Sequence, residues 1–136
     1  MSLLNAQVRA TVAASDIAQA AEFYETTLGL SPHPTGGMDQ VRIYPCAEGS
    51  LLQVYASEHA GTATATVASW STSDFESVIE DLSVKGVSFE RSAAQAADEN
   101  GVHTFGEHRV VWFRDPDGNT LAVDNGGLPS GRAGDE

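Results

Sequence analysis

Histidine and cysteine are the side chains of this chain best suited to metal or acid–base chemistry. There are four histidines and one cysteine: His33, His59, His103, His108 and Cys46. An imidazole titrates near neutral pH, so any of these histidines suits a general base, and a relocated metal site is an alternative use. His103 and His108 lack the i, i+4 spacing of a helical metal pair, and ordinary loop histidines are the simpler interpretation. Cys46 has no basic neighbour and no partner for a disulfide, which favours a small half-buried side chain over a catalytic thiolate.

Charge and composition restrict the classes of partner. The 136 residues include 19 acidic and 7 basic ones, giving a net charge of −12. Nucleic acid would be repelled, whereas a cationic ligand would be attracted. The apolar runs are too short to cross a bilayer, and a single cysteine fits a reducing compartment, so we expect a cytoplasmic protein without a membrane partner.

A duplicated hairpin organises the chain. Residues 41–55 align without a gap on residues 110–124, with Val41 on Val110 and Gly49 on Gly118. The second copy is apolar and aromatic before its turn and alternates apolar and polar residues after it, which predicts a pair of antiparallel strands in each copy. The chain therefore contains one supersecondary unit twice.

The elements around the hairpins also repeat. In the first half, a strand over residues 8–14 precedes a helix that begins at Ser15 or Asp16 and ends near Leu28. In the second half, a strand over residues 63–70 precedes a helix that starts at Ser73 or Asp74, and residues 87–90 add a strand. Each half reads β-α-β-β-β, so the fold class is α+β. We expect a single domain over residues 1–126, with modules at about 6–58 and 62–125, and a flexible acidic tail over 127–136.

Two motifs resemble a known superfamily. Phe23-Tyr24 followed by Leu28-Gly29-Leu30, together with Asp115-Pro116-Asp117-Gly118-Asn119, is similar to the vicinal oxygen chelate superfamily, which includes glyoxalase I, extradiol dioxygenases, fosfomycin-resistance enzymes and bleomycin-resistance proteins. The resemblance extends from about residue 8 to residue 124. It implies two modules curling around a cleft, helices outside, and commonly a homodimer.

The resemblance also implies where metal ligands would stand. Counting from the two helix-start acids and from Asp115 gives Arg9, Val67 and Ala122, and the repeat carries Ala122 back to Gln53. Only Gln53 could coordinate a divalent cation, because zinc, iron and manganese sites here need imidazole or carboxylate. We therefore expect no metal and no cofactor.

The same counting indicates which strand positions face the cleft. Alternation along each strand yields a partly apolar wall typical of a small-molecule pocket. The candidate ligand-binding residues are Arg9, Gln53, Tyr55, His103, Phe105, His108, Trp112 and Asp124. A collapsed core with Arg9 and Asp124 in a structural ion pair is the alternative. The polar stretch 92–106 is a candidate mobile cover that would bring His103 or Phe105 over a ligand, or else an ordinary surface loop.

Three functions remain open at this point. The first is a metal-free binding protein that sequesters an aromatic or cationic compound, as the resemblance to bleomycin-resistance proteins implies. The second is a glyoxalase-like lyase or isomerase, or a dioxygenase, that uses a non-standard metal site or a base such as His103, His108 or Asp124. The third is an accessory module whose cleft holds no ligand.

Overall fold

The two predicted hairpins belong to two separate β-sheets. The computed structural model describes residues 3–91 and 97–126. Strand β2 (Val41–Pro45) pairs antiparallel with β3 (Leu51–Ala56), and β6 (His108–Arg114) pairs antiparallel with β7 (Thr120–Asp124). The predicted duplication of this hairpin is confirmed.

The first strand of each half completes its sheet by parallel pairing. Strand β1 (Ala10–Ala14) lies beside β3 and gives the order β1-β3-β2. Strand β4 (Thr66–Ser71) lies beside β7, and the order continues as β4-β7-β6-β5, with β5 at His103–Phe105. Edge strands β1 and β4 adjoin, so the two sheets meet along them.

The first helix begins where the sequence predicts. The Asp16 carboxylate accepts a hydrogen bond from the Gln19 amide at 3.1 Å and caps helix α1 (Ile17–Glu22), which continues as a π-helical turn over Phe23–Thr27. Gly29, at φ +77°, ends it. Helix α2 (Phe75–Val84) follows Asp74, whose side chain makes no capping bond.

One apolar core joins both helices to one face of both sheets. Side chains of α1 and α2 pack on alternate positions of β1, β3, β6 and β7 within a single buried cluster. Its largest fully buried members are Tyr24, Tyr44, Phe113, Leu121, Val12, Val54 and Val111. The α+β fold class is confirmed. No helix among the described residues is long and apolar enough to span a membrane.

The predicted strand at residues 87–90 is wrong. This segment makes one backbone bond to β6, from the Glu90 amide to the Trp112 carbonyl at 2.7 Å, and no ladder. Strand β5 pairs with residues 108–110 of β6, and this segment runs beside the rest of that edge with a single backbone bond. Phe89 still packs on Phe113, with ring centroids 6.3 Å apart.

The predicted mobile cover also needs correction. Residues 103–105 form strand β5, because Gly106, at φ +65°, permits a two-residue turn that pairs Phe105 with His108. The Asp98 carboxylate fixes the approach to this strand by accepting the amides of Asn100 and Val102, and the Val102 bond lowers the pKa of Asp98. Residues 92–96 of the predicted cover, and the predicted tail at 127–136, lie outside the described residues.

Candidate functional site

The eight predicted cleft residues share the strand parity that faces away from the helices. We call the surface they define the second face. Three belong to the first sheet, where Gln53 and Tyr55 lie on β3 and Arg9 directly precedes β1. Five belong to the second sheet, on β5, β6 and β7: His103, Phe105, His108, Trp112 and Asp124.

Trp112 is held firmly on the second sheet. Its indole Nε1 donates a hydrogen bond to Thr66 Oγ1 at 3.1 Å, across β7. The His103 ring packs against Trp112 at 75°, with centroids 4.9 Å apart. His103 is fully buried, with Nδ1 3.1 Å from the Gly101 carbonyl oxygen. These contacts fix the plane of the half-buried Trp112 indole.

Asp124 bonds to its own sheet rather than to Arg9. One carboxylate oxygen accepts hydrogen bonds from Ser71 Oγ at 2.7 Å and from the Gly126 amide at 2.9 Å. None of the ion pairs among residues 3–91 and 97–126 joins Arg9 to Asp124. Nearby, His108 Nδ1 lies 2.7 Å from the Gly126 carbonyl oxygen. The alternative of a structural Arg9–Asp124 pair is therefore wrong.

The second face differs in burial between the sheets. On the first sheet Arg9 is exposed, Tyr55 is 38% exposed and Gln53 is half-buried. On the second sheet Ala122 and Asp124 are buried, although neither belongs to the apolar core. Phe105, on the edge strand β5, is 43% exposed. A small molecule approaching this face would therefore contact Phe105 and Trp112 of the second sheet as well as the first sheet.

The two sequence motifs meet in a buried hydrogen-bond cluster. Tyr24 Oη donates to Asp115 Oδ2 at 2.8 Å, and Asn119 Nδ2 donates to the same oxygen at 2.9 Å and to the Ala13 carbonyl at 2.8 Å. Burial, followed by the negative charge of Asp115, raises the pKa of the Tyr24 phenol. We call Tyr24, Asp115 and Asn119 the clamp, because they tie the second hairpin to the first module.

The clamp was not predicted from the sequence. The two motifs that contain its residues indicated a resemblance to a superfamily. They gave no sign that Tyr24 contacts Asp115, because these residues are 91 positions apart. The available signal was chemical, since a tyrosine on the apolar stripe of a helix needs a buried acceptor for its hydroxyl.

A protein-family model decides the relationship of the chain. The model of the Glyoxalase/Bleomycin resistance protein/Dioxygenase superfamily matches residues 6–123. The chain belongs to this superfamily. The resemblance predicted from the two motifs is thus confirmed.

Solved structures of this superfamily and its fold are similar to the chain. A glyoxalase/bleomycin resistance protein from Catenulispora acidiphila is 29% identical, with a TM-score of 0.62, covering 90% of this chain and 98% of that one. The fosfomycin resistance protein FosX from Listeria monocytogenes is 15% identical, with a TM-score of 0.63 and coverage of 93% and 94%. The oxidase ChaP-H2 is 21% identical, with a TM-score of 0.66 and coverage of 96% and 99%. No curated protein matches the chain.

The residues at the superfamily's metal-ligand positions do not fit a divalent metal. Arg9 carries a positive charge, Val67 packs against the core, Ala122 has no donor, and Gln53 is a weak neutral ligand. Among residues 3–91 and 97–126, no three histidine, cysteine or acidic side chains are grouped to hold an ion. We therefore derive no chemistry through a metal at these positions.

Proposed function

We propose that the protein binds a small aromatic molecule on the second face without the help of a metal. The observation that carries this proposal is the set of residues at the four ligand positions, Arg9, Gln53, Val67 and Ala122. None of these four side chains is an imidazole or a carboxylate, and the neighbouring wall contains Trp112 on β6 and the carboxylate of Asp124 on β7. Such a wall is typical of a binding pocket, because it offers apolar contact area and a few polar groups that orient a ligand.

Trp112 supports an aromatic ligand. Its bond to Thr66 and its packing on His103 hold the indole in place before a ligand arrives. A fixed aromatic platform loses little conformational freedom on binding, and ring stacking contributes about 0.5–1.5 kcal/mol beyond area burial. Tyr55, exposed on the first sheet, offers a second aromatic surface.

The net charge of −12 favours a cationic ligand over an anionic one. A field of one sign raises the local concentration of opposite charges and accelerates their encounter, and salt weakens the effect. A cation above the face of a tryptophan also gains cation–π attraction. We therefore propose that the protein sequesters an aromatic cation, in a cytoplasm where the single Cys46 stays reduced.

The test is a titration with a planar aromatic cation. The full-length protein is titrated with 9-aminoacridine in the presence of EDTA, and ligand anisotropy is measured at low and high salt. We expect saturable binding that chelator does not change and that salt weakens. Acridine, a neutral ring of similar shape at pH 8, should bind more weakly.

Two variants locate the site. Trp112→Ala should weaken binding by at least about tenfold, since a stacking platform is lost. Trp70→Phe, on the core-facing parity of β4, is the matched control and should leave affinity unchanged. Absence of saturable binding by both acridines would count against the proposal, and binding that requires added Zn²⁺ would favour the metal-dependent alternative.

A further inference from the structure

A carboxylate at the end of β7 is buried without a matching cation. Asp124 is 7% exposed and lies on the second face, in register with Val110 of β6 and Ser71 of β4. Its Oδ1 accepts both hydrogen bonds described above, from Ser71 Oγ and from the Gly126 amide. Within residues 3–91 and 97–126, no hydrogen bond reaches Oδ2 and no ion pair includes Asp124. One oxygen of a buried carboxylate therefore has no donor from the described part of the chain.

Asp115 shows how the same chain completes a carboxylate that is buried to the same degree. It is 6% exposed, and both of its oxygens accept hydrogen bonds. Oδ1 receives the amides of Asp117 and Asn119, and Oδ2 receives Tyr24 Oη and Asn119 Nδ2. A buried negative charge is costly unless it is paired. The contrast with Asp115 therefore favours a partner for Asp124 from outside the chain.

The second oxygen of Asp124 is open to the second face. Among the described residues, Thr120 is the one whose side chain has a polar atom that is both sealed from solvent and without a partner. Oδ2 of Asp124 has no partner, so it is not sealed. A ligand that lies on the second face can reach it.

We propose that Asp124 anchors the charged group of the ligand, and that this ligand is an aromatic cation with N–H donors, such as a protonated amine or amidine. The inference rests on the proposed function and narrows its ligand class. An N–H group donates to Oδ2 while its charge offsets that of the carboxylate, and hydrogen bonds between ionised groups are among the strongest in proteins. A quaternary ammonium ion has no N–H to donate, so it gains only the attraction between the charges.

The position of Asp124 suits a ring stacked on Trp112. Asp124 is two residues beyond Ala122, which faces Trp112 across the pair of β6 and β7. Diagonal neighbours of this kind lie about 7–8 Å apart in an antiparallel sheet. A ring that covers the indole can therefore bring an amino substituent to the carboxylate.

A metal ion is a poorer partner for Asp124 than an organic cation. In the described ranges, no three histidine, cysteine or acidic side chains are grouped to hold an ion, so Asp124 would be an isolated ligand. The neighbouring His108 places Nδ1 against the Gly126 carbonyl oxygen instead. Basic side chains of the chain pair elsewhere: Lys85 with Asp81, Arg109 with Glu76, and Arg114 with Glu90.

The test compares two acridine cations of equal charge on the wild-type protein. 9-Aminoacridine carries N–H donors, and 10-methylacridinium carries the same charge without one. Ligand anisotropy is measured at pH 8 for each cation. We expect 9-aminoacridine to bind at least about tenfold more tightly, because the quaternary ring cannot make the hydrogen bond to Asp124.

A variant assigns this preference to the carboxylate. Asp124→Asn removes the charge and keeps an oxygen that can accept the bonds from Ser71 and Gly126. It should weaken binding of 9-aminoacridine by at least about tenfold and make the two affinities equal. Glu80→Gln makes the same change in net charge at an exposed position of α2 and is the matched control. It should leave the preference unchanged.

The outcomes separate the role of Asp124 from the proposed function. Equal affinities of the two cations for the wild type, or a preference that Asp124→Asn leaves intact, would overturn the role of Asp124 while the proposed function stands. Absence of saturable binding by either cation would overturn both. The wild-type comparison needs no variant, so it remains decisive if Asp124→Asn does not fold.

Discussion

The two hairpin turns have the same length and a different role. The first turn (residues 46–50) closes with a bond from the Cys46 amide to the Ser50 carbonyl at 2.8 Å. The second turn (residues 115–119) closes with the equivalent bond, from Asp115 to Asn119, at 3.1 Å. The backbone of the repeat is thus preserved while the side chains at its ends differ.

The difference decides how the modules are joined. Asp115 and Asn119 reach Tyr24 and Ala13 of the first module, whereas Cys46 and Ser50 bond within their own hairpin and line a small, largely apolar cavity beside β4. The helix position equivalent to Tyr24 is Leu82 in α2, which has no hydroxyl to donate. One turn therefore serves as a polar joint, and its copy leaves an apolar surface available for another contact.

Removing the carboxylate at the centre of the clamp should have the largest effect. Asp115 is buried and accepts bonds from Tyr24 Oη, Asn119 Nδ2 and the amides of residues 117 and 119. Asp115→Ala leaves these donors unpaired and should lower the free energy of unfolding by about 3–5 kcal/mol. Cys46→Ala, the equivalent change in the first turn, should cost less than about 1 kcal/mol. Urea unfolding measures both, and equal losses would mean that the turns do not differ in role.

Gly61 allows the linker between the modules to approach the second turn. A β-carbon there would lie 2.0 Å from the Asp117 carbonyl oxygen, and φ is +76°. Gly61→Ala should cost about 2–4 kcal/mol, from the left-handed backbone and the clash together. Gly49→Ala, at φ +80° with open space around it, should cost only about 1–2 kcal/mol. Thermal unfolding compares the two variants. Equal costs would mean that the close approach of residue 61 to Asp117 does not restrict this position.

The Tyr24 hydroxyl makes the stability of the folded protein depend on pH in the alkaline range. Because burial and Asp115 raise its pKa in the folded state, its contribution to stability is complete below the unfolded pKa of about 10 and is lost as pH rises above that value. Tyr24→Phe should cost about 1–2 kcal/mol at neutral pH and reduce the alkaline loss. Part of that loss should remain, because burial also raises the pKa of Tyr44. Chemical unfolding at pH 8 and above pH 10 tests this. Tyr55→Phe is the exposed control, and an alkaline loss as steep in Tyr24→Phe as in wild type would contradict the assignment.

Copying the second turn onto the first should have the smallest effect. Ser50→Asn gives the first turn the side chain that the second turn has at position 119. The residues equivalent to Tyr24 and Asp115 are Leu82 and Cys46, which offer this amide no matching partners. The change in unfolding free energy should therefore stay within about 0.5 kcal/mol. A stabilisation well beyond that, measured by urea unfolding, would show that the first turn can form the same joint with one substitution.

Local pattern predicted most of the fold. The hairpins, the Asp16 cap and the end of α1 at Gly29 each depend on residues close in sequence, and each is present. The strand predicted at residues 87–90 is absent, because pairing along the edge of β6 depends on the assembled sheet and not on that segment alone. The sequence predicted the arrangement of the candidate site only in part. Contacts such as those of Thr66 with Trp112, and of Tyr24 with Asp115, join residues remote in sequence.

A metal-retention measurement tests the proposed metal-free site most directly. The protein is saturated in turn with Zn²⁺, Mn²⁺ and Fe²⁺, dialysed against metal-free buffer, and its metal content is determined by elemental analysis. Because Arg9, Val67 and Ala122 offer no ligand atoms, we expect no retained stoichiometric metal, together with unchanged binding of 9-aminoacridine. Retention of a full equivalent that Gln53→Ala abolishes would contradict the proposal and place a metal at the superfamily position.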